Sequence, residues 1–140
     1  MTLLNSCSLR NKDGSIHVFD SSYANFRSWL LNATATNMAY MLSAQLATLK
    51  LDVNFLFVDS NAFDLCSNET VNQLMTDACN LLSNAGCTGS ATNTICNPPA
   101  GSATRIAQGV DKDCIDKINN GGPVVPVAPC SATFATFTCQ

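Results

Sequence analysis

Eight cysteines are spread through 140 residues, at Cys7, Cys66, Cys79, Cys87, Cys96, Cys114, Cys130 and Cys139. No two are adjacent, and none belongs to a C-x-x-C pair. Structural zinc and iron–sulfur sites draw two ligands from one tight turn, so this spacing does not suit them. His17 is the only histidine available to help, and no C-x-x-C-H haem attachment site occurs. We therefore expect no metal and no other cofactor, and four disulfides using all eight cysteines, which implies an oxidising compartment. Eight cysteines allow roughly 105 pairings, and sequence does not choose among them. The spacing suggests Cys79 with Cys114, and Cys87 with Cys96 or Cys66.

The rest of the composition narrows the class of protein. Ser, Thr and Asn make 41 of the 140 residues, while Lys and Arg make only seven. A surface built this way is polar but nearly uncharged. The net charge of −3 argues against a nucleic-acid partner, which calls for a basic face. No apolar run approaches the ~20 residues of a membrane span, so no membrane insertion is expected. The start, Met1-Thr-Leu-Leu-Asn-Ser-Cys7, lacks the basic and apolar regions of a signal peptide. An exported protein with this start is expected to be a mature or excised chain. Asn32-Ala-Thr34 and Asn68-Glu-Thr70 fit the glycosylation tripeptide, a pattern common by chance.

Hydrophobic periodicity suggests a fold that is mainly α with minor β (α+β), in a single domain over residues 1–140. We expect about four amphipathic helices around a central one, two or three short strands, and disulfide staples. A first helix near 22–32 carries Phe26, Trp29 and Leu30 on one face. The second, capped by Thr36 or Asn37, is the expected central helix, with Met38, Met41, Leu42, Gln45, Leu46 and Leu49 in its stripe. The third, capped by Ser67 or Asn68, carries Val71, Leu74, Met75, Ala78, Leu81 and Leu82, with Gly86 just past its end. The fourth runs from about 103 to 120, with Ile106, Val110, Cys114 and Ile118 every fourth residue, broadened by Ile115. Alternation reads as strand at Ser15–Phe19, Leu51–Val58 and Ala132–Thr138. Residues 87–101 read as loop, and the prolines at 123, 126 and 129 suit an extended segment.

Side chains able to do chemistry are few. His17 could act as a general base, but no G-x-S-x-G nucleophile turn accompanies it, so a packing role is expected. Asp111, Asp113 and Asp116 alternate with Lys112 and Lys117, which reads as a solvated helix face with an Asp113–Lys117 pair. Asp59-Ser-Asn61-Ala-Phe-Asp64, with Asp52 before it, offers oxygens but lacks the glycine and glutamate of a calcium loop. Met38, Met41 and Leu42 could line an apolar cavity, and Trp29, Tyr23, Tyr40 and Phe26 a sugar-stacking platform. Both groups read more simply as core. No catalytic residue is assigned.

The stretch from Ser22 to Ala47, SYANFRSWLLNATATNMAYMLSAQLA, runs on into Leu51-Asp-Val-Asn54. It resembles an uncharacterised helical module of large exported bacterial surface proteins, over about residues 15–120. No activity or catalytic residue is assigned to that module, so none carries over. The resemblance implies an extracellular setting and says nothing about cysteine pairing. Hydrophobins and plant lipid-transfer proteins, which use adjacent cysteines, do not match.

The expectation is thus a structural or adhesive module of a secreted or cell-surface protein or extracellular filament, without catalysis. Its partners would be further copies or neighbouring surface-protein domains. In one version Ser15–Phe19 or Ala132–Thr138 adds to a neighbour's sheet edge. In the simpler version both pair within the domain, locked by Cys7 with Cys130 or Cys139. The alternatives are a binding module for a small apolar or carbohydrate ligand and a secreted hydrolase.

Overall fold

The computed structural model describes residues 2–34, 36–83, 87–88 and 95–126. Five helices occur among them: α1 (Thr2–Asn5), α2 (Tyr23–Leu31), α3 (Met38–Asn54), α4 (Val71–Ser83) and α5 (Ala103–Asn119). Five strands of two residues each complete the set: β1 (Phe63–Asp64), β2 (Glu69–Thr70), β3 (Cys87–Thr88), β4 (Ile95–Cys96) and β5 (Val124–Val125). The architecture is the expected helical one with minor β. Among the described residues, no helix is long and apolar enough to cross a membrane.

Each long helix begins where local chemistry satisfies its free N–H groups. Ser22 caps α2 by accepting from Asn25 N, and Asn37 caps α3 by accepting from Ala39 N and Tyr40 N. Ser102 caps α5 through Arg105 N. For α4 the cap is Thr70, not Ser67 or Asn68. Thr70 Oγ1 accepts from Gln73 N, and Gln73 Oε1 accepts from Thr70 N, a reciprocal capping box. Asn68 is needed elsewhere: it takes φ 61° in the turn between β1 and β2. At the other end of α5, Gly121 adopts φ 77° while Gly122 N donates to Lys117 O at 2.7 Å. A left-handed residue at that place suits glycine and turns the chain into β5.

α3 is the central element. Ala39, Tyr40, Leu42, Ser43, Ala44, Leu46, Ala47 and Leu49 are all buried, so its small residues are enclosed along with its large ones. Its most extensive contact is with α5. There Met38 Cε packs over Gly109, and Asn119 Nδ2 donates to both Gln45 O and Gln45 Oε1. The stripe of α5 departs from the expected one. Ile106 and Val110 are exposed, whereas Gln108, Cys114, Ile115 and Ile118 are buried. Gln108 is drawn inward because its Nε2 donates to Leu81 O, one of the last carbonyls of α4.

Two expected strands are corrected. Leu51–Asn54 continues α3, and the chain then turns. Phe55 N donates to Leu51 O, and Phe57 N and Val58 N both donate to Asp52 O. The alternation of Leu51, Val53, Phe55 and Phe57 therefore spans a helix end and a turn. Ser15–Phe19 is no strand either. Ile16 makes a single antiparallel bridge with Arg10, and His17 N donates to Leu9 O, so this segment pairs within the domain. In the other direction, the expected loop at 87–101 contains a small hairpin, with Cys87 opposite Cys96. β1 sits between β2 and β5, antiparallel to both.

Three disulfides connect Cys7 with Cys79, Cys66 with Cys114, and Cys87 with Cys96. The last is one of the expected pairings. Cys79 with Cys114 is not formed, because Cys79 faces the N-terminal segment and Cys114 faces the turn after β1. Cys7 is consequently not the partner of Cys130 or Cys139. Those two cysteines, Gly86 and the expected strand Ala132–Thr138 lie outside the described residues.

Candidate functional site

The richest convergence of polar and aromatic groups surrounds Arg10, a residue whose sequence context shows nothing special. Arg10 is fully buried. Its Nε donates to Leu82 O at 3.1 Å, and its Nη2 makes a second, short bond to the same carbonyl. Leu82 O is among the last carbonyls of α4, where the helix presents partial negative charge, so a guanidinium is well placed there. Burial holds the Arg10 pKa below its usual value. The backbone of Arg10 is used as fully as its side chain. Its N donates to Ser43 Oγ at 2.8 Å, and its carbonyl accepts from Trp29 Nε1 at 3.1 Å. The Tyr40 hydroxyl donates in turn to Trp29 O.

His17 belongs to this corner. Its ring stacks on Trp29 with centroids 5.1 Å apart, meets Phe19 edge-on at 4.3 Å, and donates from Nδ1 to Asn11 Oδ1 at 2.7 Å. Burial lowers its pKa, with Asp20 opposing, so the neutral ring is favoured. Such a ring is placed as a packing group. Trp29, Phe26 and Tyr40 meet in the same cluster, while Tyr23 is exposed and apart from it. The four aromatics expected as a platform are thus not brought together on one surface. Leu42 is fully buried, with Met38 and Met41 half-buried near it in sequence on α3.

A second convergence joins β2, α4 and α5. Glu69, Asp77 and Asp111 interact electrostatically, beside an open groove of about 390 Å³ lined by Asp77, Asn80, Leu81 and Asp111. Burial, reinforced by Asp77, pushes the Asp111 carboxyl up to about 6. Burial also raises Glu69, with Asp77 and Asp111 adding to it. Asp111 Oδ2 is buried without a hydrogen-bond partner. The solvated face expected for Asp111 and Asp113 is formed only at Asp113, which is exposed and pairs with Lys112 rather than with Lys117, while Asp111 is half-buried. Lys117 donates to Cys66 Sγ at 3.4 Å.

The acidic stretch 59–64 does not converge on a cation. Asp59 Oδ1 accepts from Asn61 N, and the buried Asp64 accepts from Ser67 N at 2.8 Å. Among the described residues, one group could hold a metal by proximity, Asp64 with Cys66 and Cys114. Both sulfurs are already joined in a disulfide, which removes the thiolates a metal needs. These features define a helical module whose buried polar groups are spent mainly on holding helix ends. No family model, curated protein or solved structure matches the chain.

Proposed function

We propose that this chain is a structural or adhesive module of a secreted or cell-surface protein, or of an extracellular filament. The observation that carries the reading is the placement of the staples. Cys7–Cys79 and Cys66–Cys114 close separations of 72 and 48 residues, tying the N-terminal segment to α4 and the turn after β1 to α5. By loop-closure entropy they contribute about 4.4 and 4.1 kcal/mol, against about 2.6 for a separation of 9. A module already supplied with a central buried helix gains durability from such links, which suits proteases or mechanical load outside a cell. The likeness of residues 22–54 to exported bacterial modules points the same way.

The aromatic and methionine-bearing faces favour this reading over a ligand-binding module, since Trp29, Tyr40 and Leu42 are spent on the core. His17, held between Trp29 and Asn11, favours it over a hydrolase. The test is the native material. Non-reduced peptide mapping should recover the three bridges from extracellular or surface fractions, and electron microscopy should show the chain within an assembly. Free thiols at these six positions, or a strict intracellular monomer, would overturn the proposal.

A further inference from the structure

The three bridges differ in how their sulfurs meet solvent. Among the described cysteines Cys66 alone is exposed; Cys79 and Cys87 are half-buried, and Cys7, Cys96 and Cys114 are buried. Cys66 follows β1 on the turn to β2, and an open groove of about 250 Å³ lies over it, lined also by Asp64, Leu65, Lys117, Ile118 and Pro123. Two charged side chains flank the Cys66–Cys114 bond. Lys117 Nζ lies 3.4 Å from Cys66 Sγ. The buried Asp64 brings a carboxylate oxygen within 4.8 Å of both sulfurs. Exchange between a thiol and a disulfide depends on access to one sulfur and on the charge that meets the incoming thiolate. Both conditions are satisfied at Cys66. Neither Cys7–Cys79 nor Cys87–Cys96 presents an exposed cysteine.

We propose that Cys66–Cys114 is a thiol–disulfide exchange site, at which a small thiol enters the groove beside Lys117 and attacks Cys66 Sγ. The thiol gives its proton to water and arrives as a thiolate, which the Lys117 ammonium attracts. A new S–S bond joins it to Cys66, the Cys66–Cys114 bond breaks, and that bond's electron pair leaves on Cys114 Sγ, which takes a proton from water. A second thiolate then attacks the sulfur of the bound thiol. A small disulfide departs, and Cys66 is released as a thiolate beside Lys117. Two thiols are thereby oxidised and one bridge is reduced. Without a second thiol, Cys114 passes its proton to Asp64, attacks Cys66 and expels the first one, so the bridge recloses. Opening frees the turn after β1 from α5, while β1 keeps its pairing with β2 and β5. The other two staples remain in place, so the exchange does not require the module to unfold.

The test incubates the oxidised, full-length chain with reduced glutathione under native conditions. Samples are quenched with acid over time, and new thiols and glutathione adducts are mapped by mass spectrometry. Cys66–Cys114 should open at least about tenfold faster than Cys7–Cys79 or Cys87–Cys96, with the adduct on Cys66 and the free thiol on Cys114. The rate should rise in proportion to glutathione concentration, and the circular dichroism spectrum should persist while the other bridges stay closed. Lys117→Gln should slow the opening at least about threefold at low salt, Lys117→Arg should restore it, and high salt should shrink the difference. Opening of all three bridges at one rate, or a rate independent of glutathione, would mean that only unfolding exposes the sulfurs and would overturn the proposal. An adduct on Cys114 in place of Cys66, or an unchanged rate in Lys117→Gln, would overturn it as well.

Discussion

At the Arg10 corner the buried guanidinium, the indole N–H, the Tyr40 hydroxyl and the Ser43 hydroxyl each meet a named partner. Where α4 meets α5 on its other side, Asp111 keeps a buried carboxylate oxygen with none. Both places join helices, and both bury polar atoms. The first places donors against carbonyls that a helix end leaves free. The second places like charges against one another at the edge of a groove. The difference separates a source of rigidity from a source of pH dependence, and it can be tested from both sides.

The largest effect should come from removing the indole that ties the corner together. Trp29→Ala deletes a buried ring that contacts His17, Phe19 and Tyr40, and it frees the Arg10 carbonyl. A loss of about 4 kcal/mol is expected in denaturant unfolding of the oxidised protein. Phe57→Ala, at a side chain that is mostly exposed, should change stability by less than about 0.5 kcal/mol. Equal losses in the two variants would show that the corner is no special joint. Arg10→Met keeps the length of the side chain but strips Leu82 O of its donors, and should cost about 3 kcal/mol. Tyr40→Phe removes one buried bond to Trp29 O and should cost about 1.5 kcal/mol. If Arg10→Met were neutral, the α4 end would be satisfied by Gln108 and water alone.

Much of this fold is legible in the sequence because helices announce themselves through period and caps. Asn37 marks the start of α3 and Gly121-Gly122 the end of α5, and the stripe of α4 is buried as its spacing implies, with Leu81 half-buried. The misreadings share a cause. Leu51, Val53, Phe55 and Phe57 alternate, but a helix already nucleated at Asn37 and packed on α5 carries its register through to Asn54. Tertiary packing overrode a local pattern. Gln108 hid Ile106 and Val110's true exposure for a similar reason: the deciding contact, to Leu81 O, is 27 residues away in sequence. Arg10 was invisible because its partners come from α2, α3 and α4, and no local motif marks a residue that caps a distant helix. Cysteine pairing depends on the same long-range geometry, which is why only the pair nine residues apart could be expected correctly.

The smallest expected effect probes the carboxylate joint, and its sign is fixed by the direction of the shift. Asp111 titrates near 6 in the folded chain, against 3.8 for an ordinary aspartate. The folded state therefore holds a proton that the unfolded state releases between these values. Stability contributed by this group falls as pH rises from about 4 to about 6 and is level above that. Glu69, also raised, acts in the same direction. His17 acts in the opposite one, because its lowered pKa disfavours the charge that acid imposes. The whole-protein profile mixes these contributions, so the informative quantity is a difference. Asp111→Asn removes the charge while keeping the shape. With the half-exposed site discounted for solvent screening, it should stabilise the chain by about 1 kcal/mol at pH 7.5. The advantage should shrink as pH falls through 6 and vanish only below about pH 3, where Asp111 is protonated in both states. Thermal unfolding of both proteins across that range measures it. A difference that stays constant with pH would mean that the buried oxygen of Asp111 carries no charge penalty, and the contrast between the two joints would then be one of packing alone.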